Sequence, residues 1–227
     1  GDLLSDLKLH GGKGHDELFG GKGHDELDGG EDNDNLNGKE GNDILKGGLG
    51  NDTLVGGSGT DTIVYGDLDA NVSLLWEYND KAQDTGHGLD TIEVWSVENI
   101  TAGSGNDVLT GQWLDNVLDG GSGNDQLYGD WGNDTLIGGL GDDLLIGGGG
   151  SDTFQFNSND GQDTIEDFNV SEGDKIQLMK TNNESPNVSY TSDGNNTIIN
   201  WENVSVTIEN FSDHDQIAQH IEWVTIS

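Results

Sequence analysis

A nine-residue repeat runs through most of this chain and constrains its fold more than any other feature. Twelve copies carry a glycine-rich segment, an aspartate and one apolar residue at the same relative positions, with asparagine in place of the aspartate in one copy. The copies follow one another without a gap from Gly11 to Val64, and again from Ala102 to Gln155. Because one such unit is too small to bury a core alone, the repeats must stack on their neighbours as a solenoid.

Each repeat divides into two parts of different chemistry. Its first six positions carry up to three glycines, which readily adopt positive φ values that other residues resist. Its last three positions centre on an apolar residue with β-propensity. We therefore predict a six-residue turn followed by a three-residue strand, which together form half a coil. The twelve apolar residues are Leu18, Leu27, Leu36, Leu45, Leu54, Ile63, Leu109, Leu118, Leu127, Leu136, Leu145 and Phe154.

Two repeats, or eighteen residues, close one turn of a right-handed parallel β-roll, so residues eighteen apart stack about 4.8 Å from each other. The predicted fold class is all-β: a right-handed parallel β-roll (β-helix) in two blocks, with a β-rich insertion and a β-rich C-terminal cap. We predict the first roll block over 1–66, the insertion over 67–98, the second roll block over 99–157 and the capping region over 158–227. Within the cap, we expect a hairpin at the Gly194-Asn195 turn and a short helix over 216–222.

The same stacking gathers the acidic residues into four columns. Carboxylates held about one strand spacing apart repel each other, and the glycine turns direct backbone carbonyls at the same gap. A cation that accepts six to eight oxygens at about 2.3–2.6 Å in flexible geometry is calcium. One ion for each neighbouring pair predicts about eight calcium ions. The columns are Asp16, Asp34 and Asp52; Asp25, Asp43 and Asp61; Asp107, Asp125 and Asp143; and Asn116, Asp134 and Asp152.

The repeat resembles the nonapeptide G-G-x-G-x-D-x-U-x of RTX (repeats-in-toxin) domains, also known as hemolysin-type calcium-binding repeats. The resemblance implies that backbone carbonyls of the glycine turns bind calcium together with the aspartates. It also implies a final calcium at Asp160 and Asp163, because a similar segment follows the last repeat in many RTX proteins. The implied glycine ligands are Gly12, Gly14, Gly21, Gly23, Gly30, Gly41, Gly48, Gly50, Gly57, Gly59, Gly103, Gly105, Gly121, Gly123, Gly132, Gly139, Gly141, Gly148 and Gly150.

Charge and composition predict that the repeats need this metal in order to fold. The chain has 44 acidic and 8 basic residues, a formal net charge of −36, which disfavours a compact calcium-free state. Each repeat also buries only one sizeable apolar side chain. We therefore expect the repeats to be disordered without calcium and to fold when it binds. So acidic a surface excludes nucleic acid and anionic membranes as partners.

The sequence points to a protein that acts outside the cell. It contains no cysteine, no apolar run long enough to span a bilayer and no basic, apolar signal segment at its start. The RTX resemblance implies bacterial type I secretion with an uncleaved C-terminal signal. Residues 221–227 are candidates for part of that signal. The predicted function is a folding and export module of a larger secreted toxin, hydrolase or adhesin.

No catalytic motif stands out, so we do not expect an enzyme. The sequence lacks H-E-x-x-H, G-x-S-x-G and a P-loop lysine. His15 and His24 occupy a repeat position that elsewhere carries asparagine, which favours surface decoration over a transition-metal site. Asn116 replaces an aspartate in a repeat where Leu114 also replaces a glycine, so we expect the Asn116–Asp134 site to be the weakest.

Trp113 and Trp131 are the one irregularity that indicates a ligand site. They occupy the third position of repeats two apart, so they are expected along the same edge of the second roll. One interpretation is that they pack beneath the insertion or the cap; the other is an aromatic platform for a sugar ring. The alternative function is thus a glycan-binding module resembling the R-modules of alginate epimerases. A third, an ice-binding segment, requires a threonine row that the third repeat position lacks.

Overall fold

A computed structural model describes residues 5–66, 73–74, 82–84, 89–92, 96–180 and 188–225. The chain divides into two compact units, Gly1–Leu109 and Thr110–Ser227. Among the described residues, no helix is long and apolar enough to cross a membrane. Most of the predicted insertion over 67–98 lies outside the described residues.

The first unit contains two parallel sheets. One has the order β1-β3-β5-β7-β11, and the other has the order β2-β4-β6-β10 with β9 antiparallel at its edge. Leu9 pairs with Leu27 and Leu27 with Leu45, so partners are eighteen residues apart. The strands are β1 (Lys8–Lys13), β2 (Glu17–Gly21), β3 (Glu26–Glu31), β4 (Asn35–Glu40), β5 (Ile44–Leu49), β6 (Thr53–Ser58), β7 (Thr62–Val64), β8 (Ser73–Leu74), β9 (Ala82–Asp84), β10 (Leu89–Ile92), β11 (Asn99–Thr101) and β12 (Val108–Thr110), which ends just past the boundary.

The second unit repeats this arrangement and adds an antiparallel end. One parallel sheet has the order β13-β15-β17-β19-β23; the other runs β14-β16-β18-β22 and continues antiparallel through β21 and β20. Its strands are β13 (Val117–Ser122), β14 (Gln126–Tyr128), β15 (Thr135–Leu140), β16 (Leu144–Ile146), β17 (Thr153–Phe156), β18 (Gln162–Ile165), β19 (Lys175–Lys180), β20 (Val188–Ser192), β21 (Thr197–Trp201), β22 (Val204–Ile208) and β23 (Ile221–Thr225), with the short helix α1 (His214–Ile217).

Alternate repeats therefore lie in opposite sheets of a parallel β-roll, which confirms the predicted fold class. The apolar residue of each repeat points inward and forms the core. Eleven of the twelve are at most 1% exposed, whereas Leu18, in the first complete repeat, is partly exposed. The four-segment division of the chain stays a proposal.

The predicted three-residue strand is correct in four repeats, at β7, β12, β14 and β16, and too short in the other eight. Seven strands of the rolls contain six residues each, and the first two glycines of the repeat lie within them, as when Gly30 pairs with Gly48. In these longer strands, the bend is confined to the fourth, fifth and sixth repeat positions. Because glycine has no side chain to separate neighbouring coils, its backbone continues the ladder of hydrogen bonds instead of leaving it.

The C-terminal region contains the predicted hairpin but not the whole predicted helix. Strands β20 and β21 pair in antiparallel register, with Ser192 opposite Thr197 across the Gly194 turn. The helix ends at Ile217, and Ile221 begins β23, which pairs with β19. Pairing with an available sheet edge thus outweighs the weak local helix propensity of these residues.

Candidate metal centre

The aspartates at the sixth repeat position form hydrogen-bonded columns. In each step, the Oδ1 atom of one aspartate accepts the backbone N–H of the column residue one coil earlier. The first steps are Asp16 N to Asp34 Oδ1 and Asp25 N to Asp43 Oδ1, both 2.8 Å. This bond orients the side chain and explains why a short side chain with an acceptor oxygen recurs there. The other steps of 18 residues join Asp34 to Asp52, Asp43 to Asp61, Asn116 to Asp134, Asp125 to Asp143 and Asp134 to Asp152.

In most of these column aspartates, the second carboxylate oxygen, Oδ2, is buried without a hydrogen-bond partner. A buried acceptor that lacks a donor is costly, and a buried carboxylate oxygen more so, unless a cation lies beside it. The columns thus offer one oxygen per repeat to a metal ion. The residues with such an Oδ2 atom include Asp16, Asp25, Asp34, Asp43, Asp61, Asp134, Asp143, Asp152 and Asp163.

The first glycine of each repeat opens the space around this oxygen. A Cβ at Gly29 would lie 2.5 Å from Asp34 Oδ2 and 2.6 Å from the carbonyl oxygen of Gly47, one coil further on. A carboxylate oxygen and a carbonyl oxygen from successive coils therefore converge on one small volume. The same pair of oxygens meets the first glycine at Gly11, Gly20, Gly38, Gly120 and Gly129.

Sequence reasoning missed these first glycines, because it assigned the second and fourth glycines to the metal. A signal was present: the first position is glycine in eleven of twelve copies, more often than the other two. Gly29 does not have a left-handed φ, so it is required for space and not for conformation. The sequence signal was thus a glycine that recurs at the first repeat position although the backbone conformation there does not require glycine.

The second and fourth glycines have a different geometry. A Cβ at Gly30 would clash with the carbonyl oxygen of Gly12, and one at Gly59 with that of Gly41. Carbonyl oxygens at these positions therefore also stack from coil to coil, with the glycines at φ +108° and +143°. Where the repeat lacks glycine, Asp32, Lys39 and Asp130 adopt the same left-handed region. Calcium ligation by these carbonyls stays a prediction.

The fifth repeat position forms a second, structural ladder that sequence reasoning also missed. Asn51 donates its backbone N–H to Asn33 Oδ1 at 2.9 Å, and Asn42 donates its own to Nδ1 of His24 at 2.8 Å. His15 Nδ1 likewise lies 3.1 Å from the backbone nitrogen of Asn33. His15 Nδ1 also lies 2.9 Å from the Asn33 carbonyl oxygen. The two histidines thus take the place of asparagine in this ladder, and both are exposed.

Burial makes the ionised carboxylates of the columns unfavourable in the absence of a cation. Loss of solvation raises the pKa of Asp163 to about 8 and that of Asp134 to about 7, and nearby carboxylates add to the shift. The pKa values of Asp61 and Asp143 rise to about 6 for the same reasons. A divalent ion in the column would offset both effects. Burial also raises the pKa values of Asp34, Asp43 and Asp152.

Both columns of the second unit continue beyond the nonapeptide repeats. Asp143 donates its backbone N–H to Asp163 Oδ1 at 3.1 Å, and Asp152 donates to Asp174 Oδ1 at 3.0 Å. Asp160 is 3% exposed, and its charge contributes to the raised pKa values of Asp143 and Asp163. The structure therefore brings the predicted pair Asp160 and Asp163 together with Asp143; their calcium stays a prediction.

Sequence reasoning missed Asp174 and Asp167. Asp174 completes a column although it lies twenty-two residues, not eighteen, after Asp152. Asp167 accepts the backbone N–H groups of Gly147 and Gly148 at 2.9 and 2.7 Å, which closes the last turn on that side. Both depart from the nine-residue spacing, so the repeat alone could not indicate them.

Two residues predicted to bind calcium, Asn116 and Asp107, lie where the regular column geometry is interrupted or not established. Asn116 Oδ1 accepts the backbone N–H of Gln112 at 2.6 Å, and neither Gln112 nor Leu114 adopts the left-handed φ of the regular turn. A weakened site here stays a prediction. Asp107 is fully buried in the first unit, and its stacking on Asp125 also stays a prediction.

Side chains alone do not make a metal site in the described residues, where no group of three or more histidine, aspartate or glutamate side chains could hold an ion. Any calcium in the columns must therefore take part of its ligands from backbone carbonyls. That requirement matches the carboxylate and carbonyl pairs at the first glycines.

The two tryptophans singled out by the sequence lie at the surface. Trp113 is 62% exposed and Trp131 64%, so neither is packed beneath the cap. The Trp131 backbone N–H donates to the Gln112 carbonyl at 3.0 Å, and its ring lies against Gly149. Their use as a ligand platform stays a prediction.

Comparison with known families identifies the repeats. The family described as the RTX calcium-binding nonapeptide repeat (4 copies) matches residues 8–36, 28–63, 96–127, 111–145 and 128–165, more than half of the chain in total. No curated protein matches the chain.

Several solved structures are similar to this chain. Extracellular lipase LipA from Serratia marcescens is 23% identical, with a TM-score of 0.46; the match covers 92% of this chain but 40% of the lipase. The AlgE6R3 subunit of the Azotobacter vinelandii mannuronan C5-epimerase is 34% identical over 52% of this chain and 77% of its own, with a TM-score of 0.40. The AlgE6R2 subunit is 27% identical over 53% of this chain and 93% of its own, with a TM-score of 0.36. Because all three TM-scores are below 0.5, the assignment rests on the repeats.

Proposed function

This chain belongs to the RTX calcium-binding nonapeptide repeat family, and we propose that it is the calcium-dependent folding and export module of a larger secreted bacterial protein. RTX repeats are structural calcium-binding modules. The finer proposal is that the rolls stay unfolded where calcium is scarce and fold after export, where it is abundant. The larger protein that carries such a module would be a toxin, a hydrolase or an adhesin.

The observation that carries this proposal is the row of buried Oδ2 atoms without a hydrogen-bond partner. Asp34 and Asp43 represent the arrangement in the first roll, and Asp134 and Asp143 in the second. Calcium suits it because calcium accepts mixed carboxylate and carbonyl oxygens in flexible geometry, whereas magnesium demands a strict octahedron and retains its waters. When bound, the ion supplies positive charge to columns that otherwise consist of closely spaced carboxylates.

The proposal also accounts for the composition. A net charge of −36 keeps the calcium-free chain extended and soluble, and the absence of cysteine leaves no disulfide to form before export. Calcium binding then converts the same charges into ligands. Rigidity thus comes from the metal and not from a large apolar core.

Two measurements test the proposal. Calorimetric titration of the full chain with calcium should show binding of about eight ions or more, while magnesium at the same concentration should produce little heat. For export, a reporter carrying this chain at its C-terminus should reach the medium of cells with a type I exporter, and the reporter alone should not. Absence of calcium binding would refute the folding role, and retention of the fused reporter would refute the export role.

A glycan-binding module is a second candidate, favoured by the exposure of Trp113 and Trp131. Flat indole faces stack on sugar rings, and residues 99–157 carry nine aspartates and no basic residue, which favours uncharged sugars over uronates. Neutral oligosaccharides should therefore bind the calcium-loaded chain on a glycan array, and Trp131→Ala should abolish the signal. Trp223→Ala, at a tryptophan 37% exposed in the C-terminal region, is the matched control. Silence of the wild-type chain across the array would exclude this candidate.

A further inference from the structure

The first roll resumes at an abbreviated turn. Ser96, Val97 and Glu98 immediately precede β11, whose first residue Asn99 pairs with Thr62. In the nonapeptide, the first glycine, Gly56, lies six residues before Thr62, whereas Ser96, whose carbonyl lies beside Gly56, is only three residues before Asn99. The abbreviated turn nevertheless reproduces two contacts that define a regular column step.

Ser96 takes the place of a first glycine. The backbone N–H of Gly56 donates to Ser96 Oγ at 3.0 Å. A Cβ at Gly56 would clash with the carbonyl oxygen of Ser96 and lie 2.5 Å from Asp61 Oδ2. In the regular repeat, the carbonyl at this place belongs to a glycine, as with Gly47 beside Gly29. A carbonyl and a carboxylate oxygen therefore converge here too.

Glu98 takes the place of a column aspartate. Asp61 donates its backbone N–H to Glu98 Oε2 at 2.8 Å, the same bond that joins Asp43 N to Asp61 Oδ1 at 2.8 Å. The backbone N–H groups of Glu98 and Asn99 donate in turn to the Asp61 carbonyl, at 3.2 and 2.9 Å. The longer glutamate side chain spans the distance left by the missing turn residues.

The buried carboxylate of Asp61 requires a cation nearby. Its side chain is 0% exposed, and its Oδ2 atom is buried without a hydrogen-bond partner. We propose that Asp61 Oδ2, the Ser96 carbonyl and the Glu98 carboxylate form a calcium site in which two of the three ligands lie outside any nonapeptide. Oxygen-only ligands that combine carboxylates with a backbone carbonyl suit calcium.

This inference rests on the proposed function, because it extends the calcium columns to residues outside the repeat pattern. Its consequence concerns the segment over 67–95. Asp61 precedes that segment and Ser96 follows it, so one ion would bind both flanks. Calcium would thereby fix the start of β11 against the start of β7, which lets the roll tolerate an insertion between successive coils.

The test is a count of bound calcium ions on the full chain. Glu98→Gln keeps an acceptor for the Asp61 N–H but removes the charge, and Asp61→Asn removes the partnerless carboxylate oxygen. Each variant should bind one calcium ion fewer than the wild type in calorimetric titration, with the remaining ions retained. Glu17→Gln, at an exposed glutamate of β2 outside the columns, removes the same charge and should leave the count unchanged.

The outcomes separate this inference from the proposed function. If the wild-type chain binds calcium and both variants bind the same number of ions, the site at Asp61 is refuted while the repeat sites stand. If only Asp61→Asn loses an ion, Glu98 is not a ligand and the assignment is overturned. A wild type that binds no calcium would refute the proposed function itself. Amide exchange of residues 61–65 and 99–101 at saturating calcium gives a second measure: faster exchange in Glu98→Gln than in Glu17→Gln supports the site, and equal exchange opposes it.

Discussion

The two rolls share one backbone geometry but differ in the charges outside their columns. In the first unit, lysines pair with glutamates one coil away, as in Lys13 with Glu31 at 2.7 Å and Lys22 with Glu40 at 2.8 Å. In residues 99–157 there are nine aspartates and no lysine or arginine. The first roll thus carries some cations of its own, whereas the repeats of the second carry none.

The buried columns show a parallel difference. In the first unit, burial raises the pKa of Asp61 to about 6, and it also raises the pKa values of Asp34 and Asp43. In the second unit, burial and neighbouring carboxylates raise the pKa values of Asp134 and Asp163 to about 7 and about 8. Similar hydrogen-bond geometry therefore does not imply a similar need for metal, and we expect the second roll to depend on calcium more strongly.

The largest expected effect is a difference between the rolls in chelator. Hydrogen exchange measured by mass spectrometry at neutral pH should show the strands β13 to β17 losing nearly all protection, while β3 to β6 retain some. The reason is that only the repeats of the first roll carry lysines, which pair with its surface glutamates. Equal protection in both rolls, or greater protection in the second, would show that the lysine–glutamate pairs are irrelevant.

Adding a single methyl group at a first glycine should produce the next largest effect, a loss of stability. Gly129→Ala places a Cβ against Asp134 Oδ2 and the Gly147 carbonyl, so we expect a destabilisation of the calcium-loaded chain by about 1–3 kcal/mol. Gly66→Ala is the matched control, because its Cβ would meet nothing closer than 3.7 Å and its φ is not left-handed. Thermal unfolding in calcium should separate the two variants. Equal stability would mean that the space at the first glycine is not a tight site.

The calcium-free chain should become more structured as the pH falls. The folded-state pKa values of Asp163 and Asp134, about 8 and about 7, lie above the ordinary value of about 3.9. The folded roll therefore binds protons more tightly than the unfolded chain, and this stability is lost progressively as the pH rises from about 4 to about 8. Circular dichroism in chelator should show more β-structure at pH 5 than at pH 8. The opposite trend would contradict the burial of these carboxylates.

The smallest effect concerns one surface pair. Lys22→Gln removes the pair with Glu40, which is only partly buried, and exposed ion pairs contribute little. The calcium midpoint of folding should rise slightly at low salt, and the change should vanish at high salt because mobile ions screen such pairs. A large shift, or one that persists in high salt, would indicate that Lys22 has a role other than charge neutralisation.

The nine-residue period was sufficient to predict the roll, its inward apolar residues and the aspartate columns, because each follows from which residues recur and how far apart. It misjudged strand length, since the first two glycines look like turn residues but pair within strands. It also missed the purpose of the first glycine, which is to leave space for Asp Oδ2 and a carbonyl from another coil.

The column residues that lie outside the nine-residue repeats could not be predicted from the repeat spacing. Glu98, Asp167 and Asp174 enter or close the columns through turns of irregular length, so only the folded backbone brings them into place. The hairpin at Gly194 was predictable because its turn residues are local. The extent of α1 was not, because Ile221 joins β23 through a pairing with a strand forty-five residues away.

The central claim is that calcium is part of the fold, and a calcium titration of the full chain from chelator upward tests it most directly. Far-ultraviolet circular dichroism and tryptophan fluorescence should report a cooperative transition from disordered chain to β-structure, with magnesium producing no such transition. Spectra in chelator that already match those in calcium would contradict the claim, because the rolls would then stand without any metal.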